Sequence, residues 1–125
     1  MKTILVADDS SAVRRAAAQA LDASGYQVLP AVDGIELLAL LAEYGADLVV
    51  CDMFLPRLDG LQACRLIRRN DGYINLPIVM LSSSNGLFDR ARSAMAGADE
   101  YLVKPFSDEG LLQLVRAYIE GVDMA

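Results

Sequence analysis

The chain of 125 residues has no histidine and only two cysteines, Cys51 and Cys64. Without histidine, Ser-His and Cys-His nucleophilic catalysis are excluded. Two thiols are too few for a disulfide framework or a zinc site, and both read as small buried side chains. Basic residues are scarce as well: 11 Lys and Arg stand against 17 Asp and Glu, a formal net charge of -6. That balance disfavours general binding to nucleic acid or to an anionic membrane. No run reaches the ~18 apolar residues that would cross a bilayer. The opening Met1–Ala7 meets Asp8-Asp9 too soon for a signal peptide, so a cytoplasmic protein is expected. No Gly-rich loop follows the first apolar run, which argues against a nucleotide binder.

What is present is apolar and patterned. The 54% apolar fraction suits one well-buried domain over residues 1–125, without repeat, low-complexity stretch or linker. Short runs apolar on both faces are Thr3–Ala7, Asp47–Cys51 and Pro77–Leu81, with weaker versions at Gln27–Val32 and Tyr101–Val103. They predict strands of a parallel sheet covered on both sides. Helical spacing lies between them. Val13, Ala16, Ala17, Ala20 and Leu21 follow a cap at Ser10 or Ser11 and stop at Gly25. Asp33 with Glu36 resembles a capping box before Ile35, Leu38 and Leu41. Leu61, Cys64 and Ile67 form a third stripe. Leu87, Phe88, Ala91 and Met95 form a fourth, closed by Gly97. After a cap at Ser107, Leu111, Leu114, Val115 and Tyr118 mark the inner face of a fifth. Five strand-helix units with right-handed crossovers predict an α/β flavodoxin-like (βα)5 three-layer sandwich, its five-stranded parallel sheet in the order 2-1-3-4-5.

Ligands of such sheets sit beyond the carboxyl ends of the strands. Those ends carry Asp8-Asp9, Asp52, Ser82-Ser83-Ser84 and Lys104-Pro105. Singly, each has an ordinary explanation as a turn, cap or surface residue. Jointly they place three carboxylates, a hydroxyl and an ammonium in one pocket. Clustered carboxylates repel unless a cation compensates, and the set suits Mg²⁺. Asp8 or Asp9 plus Asp52 would supply acidic ligands, Asp52 a nucleophile toward phosphorus, and Lys104 and Ser82 partners for phosphate oxygens.

The motifs Ile4–Ser10, Cys51–Gly60, Leu81-Ser82-Ser83 and Lys104-Pro105-Phe106 resemble the CheY-like receiver domains of two-component response regulators, over nearly the whole chain. The resemblance implies a phosphoacceptor at Asp52 and metal ligation by Asp8, Asp9, Asp52 and the backbone carbonyl of Phe54, with Mg²⁺ or Mn²⁺ as the ion. It implies switch positions at Ser82 and Tyr101, a phosphate-pairing Lys104 and a cis Lys104-Pro105 bond. A half-buried strand residue with its hydroxyl at the surface is the plainer reading of Tyr101. The implied donor is a histidine kinase or phosphotransfer protein. The implied output is a downstream protein docking on the face of the fourth helix, fifth strand and fifth helix, the receiver being a monomer or a phosphorylation-dependent dimer. Beyond its own phosphorylation chemistry no enzyme activity is implied. A narrower resemblance, to single-domain regulators of type IV pilus twitching motility, rests on Pro56–Gly60 and Gly86–Ala91.

The competing enzyme reading is a small Mg²⁺-dependent phosphohydrolase of the haloacid dehalogenase type. It needs a second acid two residues after the nucleophile, where this sequence has Phe54. Bulky Phe54 would instead shield an acyl phosphate from water, or point away from it. Arg57, Arg65, Arg68 and Arg69 form either a docking face for an acidic partner or a solvated helix face. Leu37 and Leu40 broaden the second helix's apolar side, for a partner contact or a wider core. The tail Gly121–Ala125 is compatible with a stand-alone protein and with part of a longer one.

Overall fold

Strands and helices alternate five times, and the ends of the strands fall level at one edge. The computed structural model describes residues 1–121. β1 (Thr3–Ala7), β2 (Gln27–Ala31), β3 (Leu48–Asp52), β4 (Ile78–Ser82) and β5 (Glu100–Val103) are all parallel, in the order 2-1-3-4-5. The helices are α1 (Ser11–Ala23), α2 (Gly34–Tyr44), α3 (Gly60–Arg68), α4 (Leu87–Ala96) and α5 (Asp108–Glu120), with a single 3-10 turn at Asp71–Tyr73. Ala7 lies beside Ala31 and Cys51, Asp52 beside Leu81, and Ser82 beside Val103.

The central strands are apolar throughout because each face meets helices. Ile4, Val6, Leu48, Val50, Val79 and Leu81 pack with Ala17 and Leu21 of α1 and Leu111 and Val115 of α5. Their alternates Leu5, Ala7, Val49, Cys51, Ile78 and Met80 pack with Leu37 and Leu41 of α2 and Leu61, Cys64 and Ile67 of α3. Both cysteines are buried free thiols. β2 and β5 are the edge strands, and β5 is only half-buried.

Side-chain caps start four of the five helices. Ser10, not Ser11, caps α1 by accepting from the Val13 amide. Asp59 and Gln62 form a full capping box on α3. Asp33 caps α2 through the Glu36 amide, but Glu36 reaches one residue further back, to the Val32 amide. Ser107 caps α5.

Four helix faces differ from those the sequence predicts. In α2 the inward residues are Gly34, Leu37 and Leu41, while Ile35 is 45% exposed and Leu38 and Leu40 sit at the margin of the core. In α1, Ala16 faces solvent. The largest departure is α4. Ser93 and Ala96 face inward, and Leu87, Phe88 and Met95 are exposed by 83%, 78% and 84%. Periodicity finds a stripe but does not say whether large or small residues are buried. Here α4 sits close to its neighbours through small side chains and turns its large ones outward. Tyr118 of α5 is likewise exposed, its hydroxyl donating to Glu100.

Candidate functional site

Asp8 follows β1, Asp52 closes β3, Ser82 closes β4 and Lys104 follows β5. The level strand ends therefore gather them, as the sequence predicts. Asp8, Asp52 and Ser82 are buried, and Asp9 is exposed. The Lys104 ammonium donates to Asp8 Oδ2 at 3.1 Å and to Asp52 Oδ2 at 2.9 Å. Asp8 Oδ1 accepts from the Ser10 amide, and Asp52 Oδ1 accepts from the Phe54 amide at 3.2 Å. One oxygen each from Asp8, Asp9 and Asp52 fall within 4.8 Å of one another.

One ammonium between two buried carboxylates leaves a surplus of negative charge. Burial pushes the Asp52 carboxyl above the ordinary range, the Lys104 hydrogen bond opposes this, and the Asp8 charge adds to it. Burial works against the Lys104 ammonium, yet its hydrogen bonds to Asp52 and Asp8 prevail and hold its pKa above the usual lysine value. The uncompensated charge and the converging oxygens fit a small hard cation with Asp8, Asp9 and Asp52 as its acidic ligands. The backbone behind Asp52 is tightly supported. A Cβ on Gly60 would lie 2.1 Å from the Asp52 carbonyl oxygen, so only glycine lets α3 begin against this strand end.

Ser82 and Tyr101 lie on a second branch of the site. Ser82 Oγ accepts from the Ser84 amide at 3.1 Å, and the Tyr101 hydroxyl donates to the Ser84 carbonyl at 2.6 Å. Ser84 thus links the two. Among the described residues no hydrogen bond joins Ser82 to Asp52. The Tyr101 ring is half-buried, with the Arg90 guanidinium 4.7 Å from its centroid. Tyr101 is a half-buried strand residue, as the plainer expectation has it, and its hydroxyl is engaged by the Ser84 carbonyl. Phe54 meets Asp52 through its backbone amide, and its side chain is 58% exposed. The Lys104-Pro105 bond is cis.

Residues 4–116 match the response regulator receiver domain family. The chain belongs to that family. Protein PilG of Pseudomonas aeruginosa is 42% identical over 116 residues, which are 93% of this chain and 86% of PilG. Response regulator MprA of a Mycobacterium species is 44% identical over 116 residues, and there this chain spans only 50% of the relative. Chemotaxis response regulator CheY4 of Vibrio cholerae superposes with a TM-score of 0.89 at 30% identity, covering 94% of this chain and 98% of that one. The receiver fold and the order 2-1-3-4-5 are those the sequence predicts. The phosphohydrolase alternative finds no support in these matches.

The sequence did not reveal three contacts that shape the receiver's pocket. Arg14 Nη1 donates to the Asp8 carbonyl at 2.7 Å, reaching back from the first turn of α1. Arg90 covers Tyr101 and also donates to Asn85, so it spans the β4–α4 loop. Arg57 adopts a left-handed backbone (φ 63) and pairs with buried Asp33 at 2.7 Å, clasping the β3–α3 loop to the start of α2. An arginine six residues after an aspartate, or at an irregular turn, leaves no periodic signal.

Proposed function

We propose that this receiver takes a phosphoryl group on Asp52 from a phosphohistidine donor and uses the modified state to alter binding to a downstream protein. The observation that carries this reading is the Lys104 bridge between Asp8 and Asp52 at the sheet edge. In the transfer, an Asp52 carboxylate oxygen forms the new P–O bond while the donor's P–N bond breaks. The electron pair of that bond leaves with the imidazole nitrogen, which takes up a proton. Lys104 then faces the added phosphoryl oxygens as a point charge. A Mg²⁺ or Mn²⁺ ion held by Asp8, Asp9 and Asp52, with the Phe54 carbonyl as a further ligand, would supply charge neutralisation for the transferring group.

The product carries about -1.5 to -2 of charge and three acceptor oxygens. Ser82, at the end of the neighbouring strand β4, carries a hydroxyl that now serves the Ser84 amide. Turning that hydroxyl toward phosphate loosens Ser84, and with it the Tyr101 and Arg90 contacts that border the α4-β5-α5 face. The expected coupling is about 1–3 kcal/mol. The exposed Leu87 and Phe88 give that face an apolar docking surface, and they lie in the segment that resembles twitching-motility regulators. The receiver acts through binding as a monomer or a phosphorylation-dependent dimer in the cytoplasm, without turnover of external substrates.

Incubation with Mg²⁺ and acetyl phosphate, followed by intact-mass measurement, tests the chemistry. A single phosphoryl adduct that disappears in Asp52→Ala is expected. An adduct that persists in that variant places the acceptor elsewhere, and steady phosphate release without an adduct supports a hydrolase.

A further inference from the structure

The four arginines around α3 have separate roles. Arg68 turns inward and donates to the carbonyls of Tyr73, Leu76 and Gly97 and to Asp99, tying α3 to the end of α4. Arg57 is engaged by Asp33. Arg65 and Arg69 are exposed, and among the described residues neither forms an ion pair. They stand one turn apart on the same side of the helix.

Between and beside them the surface is apolar. Leu66 is 42% exposed and forms a ridge. On one side of it a cavity of about 300 Å³ opens between α2 and α3, floored by Leu38, Leu41, Ile67 and Tyr73. On the other side a second cavity of about 220 Å³ is bordered by Leu58, Gln62, Arg65 and Arg69. A basic last turn complements a helix C-terminus, which accounts for part of the arginines' placement. It does not account for an apolar ridge with a groove on each flank. Single exposed leucines are ordinary, whereas a continuous apolar relief edged by charge marks a contact surface.

We propose that the α2–α3 face binds a short acidic amphipathic helix of another protein. Its apolar side chains, three or four residues apart, would straddle Leu66 and enter the two grooves as ridges enter grooves between packed helices. Its carboxylates would meet Arg65 and Arg69. The charge argument selects this occupant. A chain of net charge -6 repels acidic proteins at long range, so an acidic segment gains on contact where exposed guanidinium groups stand together unpaired, as Arg65 and Arg69 do among the described residues, beside an apolar groove. Two cations are too few to hold a nucleic acid or an anionic bilayer against that net charge. The surface is built from α2 and α3 and their flanking turns, apart from the α4-β5-α5 face proposed for output.

The test is a titration of the full chain with a helical peptide of about 15 residues, long enough to hold a helix. Leucines occupy one face of the peptide and glutamates the flanks, and a twin carries lysine for glutamate. Amide shift changes confined to α2 and α3 are expected with the acidic peptide, weakening as salt rises. Arg65→Glu with Arg69→Glu should weaken the acidic peptide by about tenfold and favour the lysine twin. Leu66→Asp should abolish both, and unchanged melting temperatures establish that the variants fold. Shifts mapping elsewhere, equal binding of the twins, or no shift at about millimolar peptide overturn the proposal. So does concentration-dependent self-association lost in Leu66→Asp, which would assign the face to a second copy of the chain.

Discussion

At the scale of single residues, the site is defined by a mismatch of charge. Asp8, Asp9 and Asp52 offer converging oxygens, and among the described residues Lys104 is the one cation paired with the buried Asp8 and Asp52. Asp9 is the exposed member, so neutralising it removes repulsion without breaking the Lys104 bridge. In chelator, Asp9→Asn should therefore raise stability by about 1 kcal/mol, the size of a charge repulsion near the surface. With Mg²⁺ the wild type should gain more than the variant, because ligand binding to the folded state adds stability. Thermal melts with and without Mg²⁺ check both halves. Asp33 makes a separate prediction in acid. The hydrogen bond from Arg57 and the Glu36 amide hold its pKa below the usual value. A depressed folded pKa contributes stability above the unfolded value of about 4, and that stability is lost as pH falls through the folded pKa. Asp33→Asn should lose the corresponding acid limb, measured as urea stability against pH. A uniform loss at every pH would instead assign Asp33 a purely capping role.

At the scale of elements, α3 depends on a close approach and α4 on small residues. Gly60→Ala must displace α3 from the Asp52 carbonyl, an overpacking that should cost about 1–3 kcal/mol in urea unfolding. The outward α4 predicts a contrast. Phe88→Ala should shift stability by no more than about 0.5 kcal/mol, whereas Leu111→Ala, fully buried, should cost about 2–5 kcal/mol. The central strands β1, β3 and β4 were legible in the sequence because both faces are apolar, and α3 because Leu61, Cys64 and Ile67 repeat cleanly. α4 misled because its large apolar residues have helical spacing without being core. α2 misled because leucines fill so many of its positions that the inward ones cannot be picked by hydrophobicity. The buried set Gly34, Leu37 and Leu41 follows instead from α2's approach to the Leu58 backbone, where a Cβ on Gly34 would lie 2.0 Å from the carbonyl oxygen.

At the scale of the molecule, pocket residues separated along the chain were legible because parallel topology brings every strand's carboxyl end to one edge. That rule located Asp8, Asp52, Ser82 and Lys104 without any knowledge of side-chain geometry. It could not locate Arg14, Arg90 or the Arg57–Asp33 pair, which depend on how loops turn after the strands end. The same topology has a consequence for biosynthesis. Lys104 reaches Asp8 across 96 positions and Asp52 across 52. A nascent chain still lacking β5, or a proteolytic fragment cut before it, carries all three aspartates and no lysine to join them. The bridge therefore forms only after β5, the last strand of the sheet, has been made and inserted, so the charge balance of the pocket is set late, by the strand at its far edge.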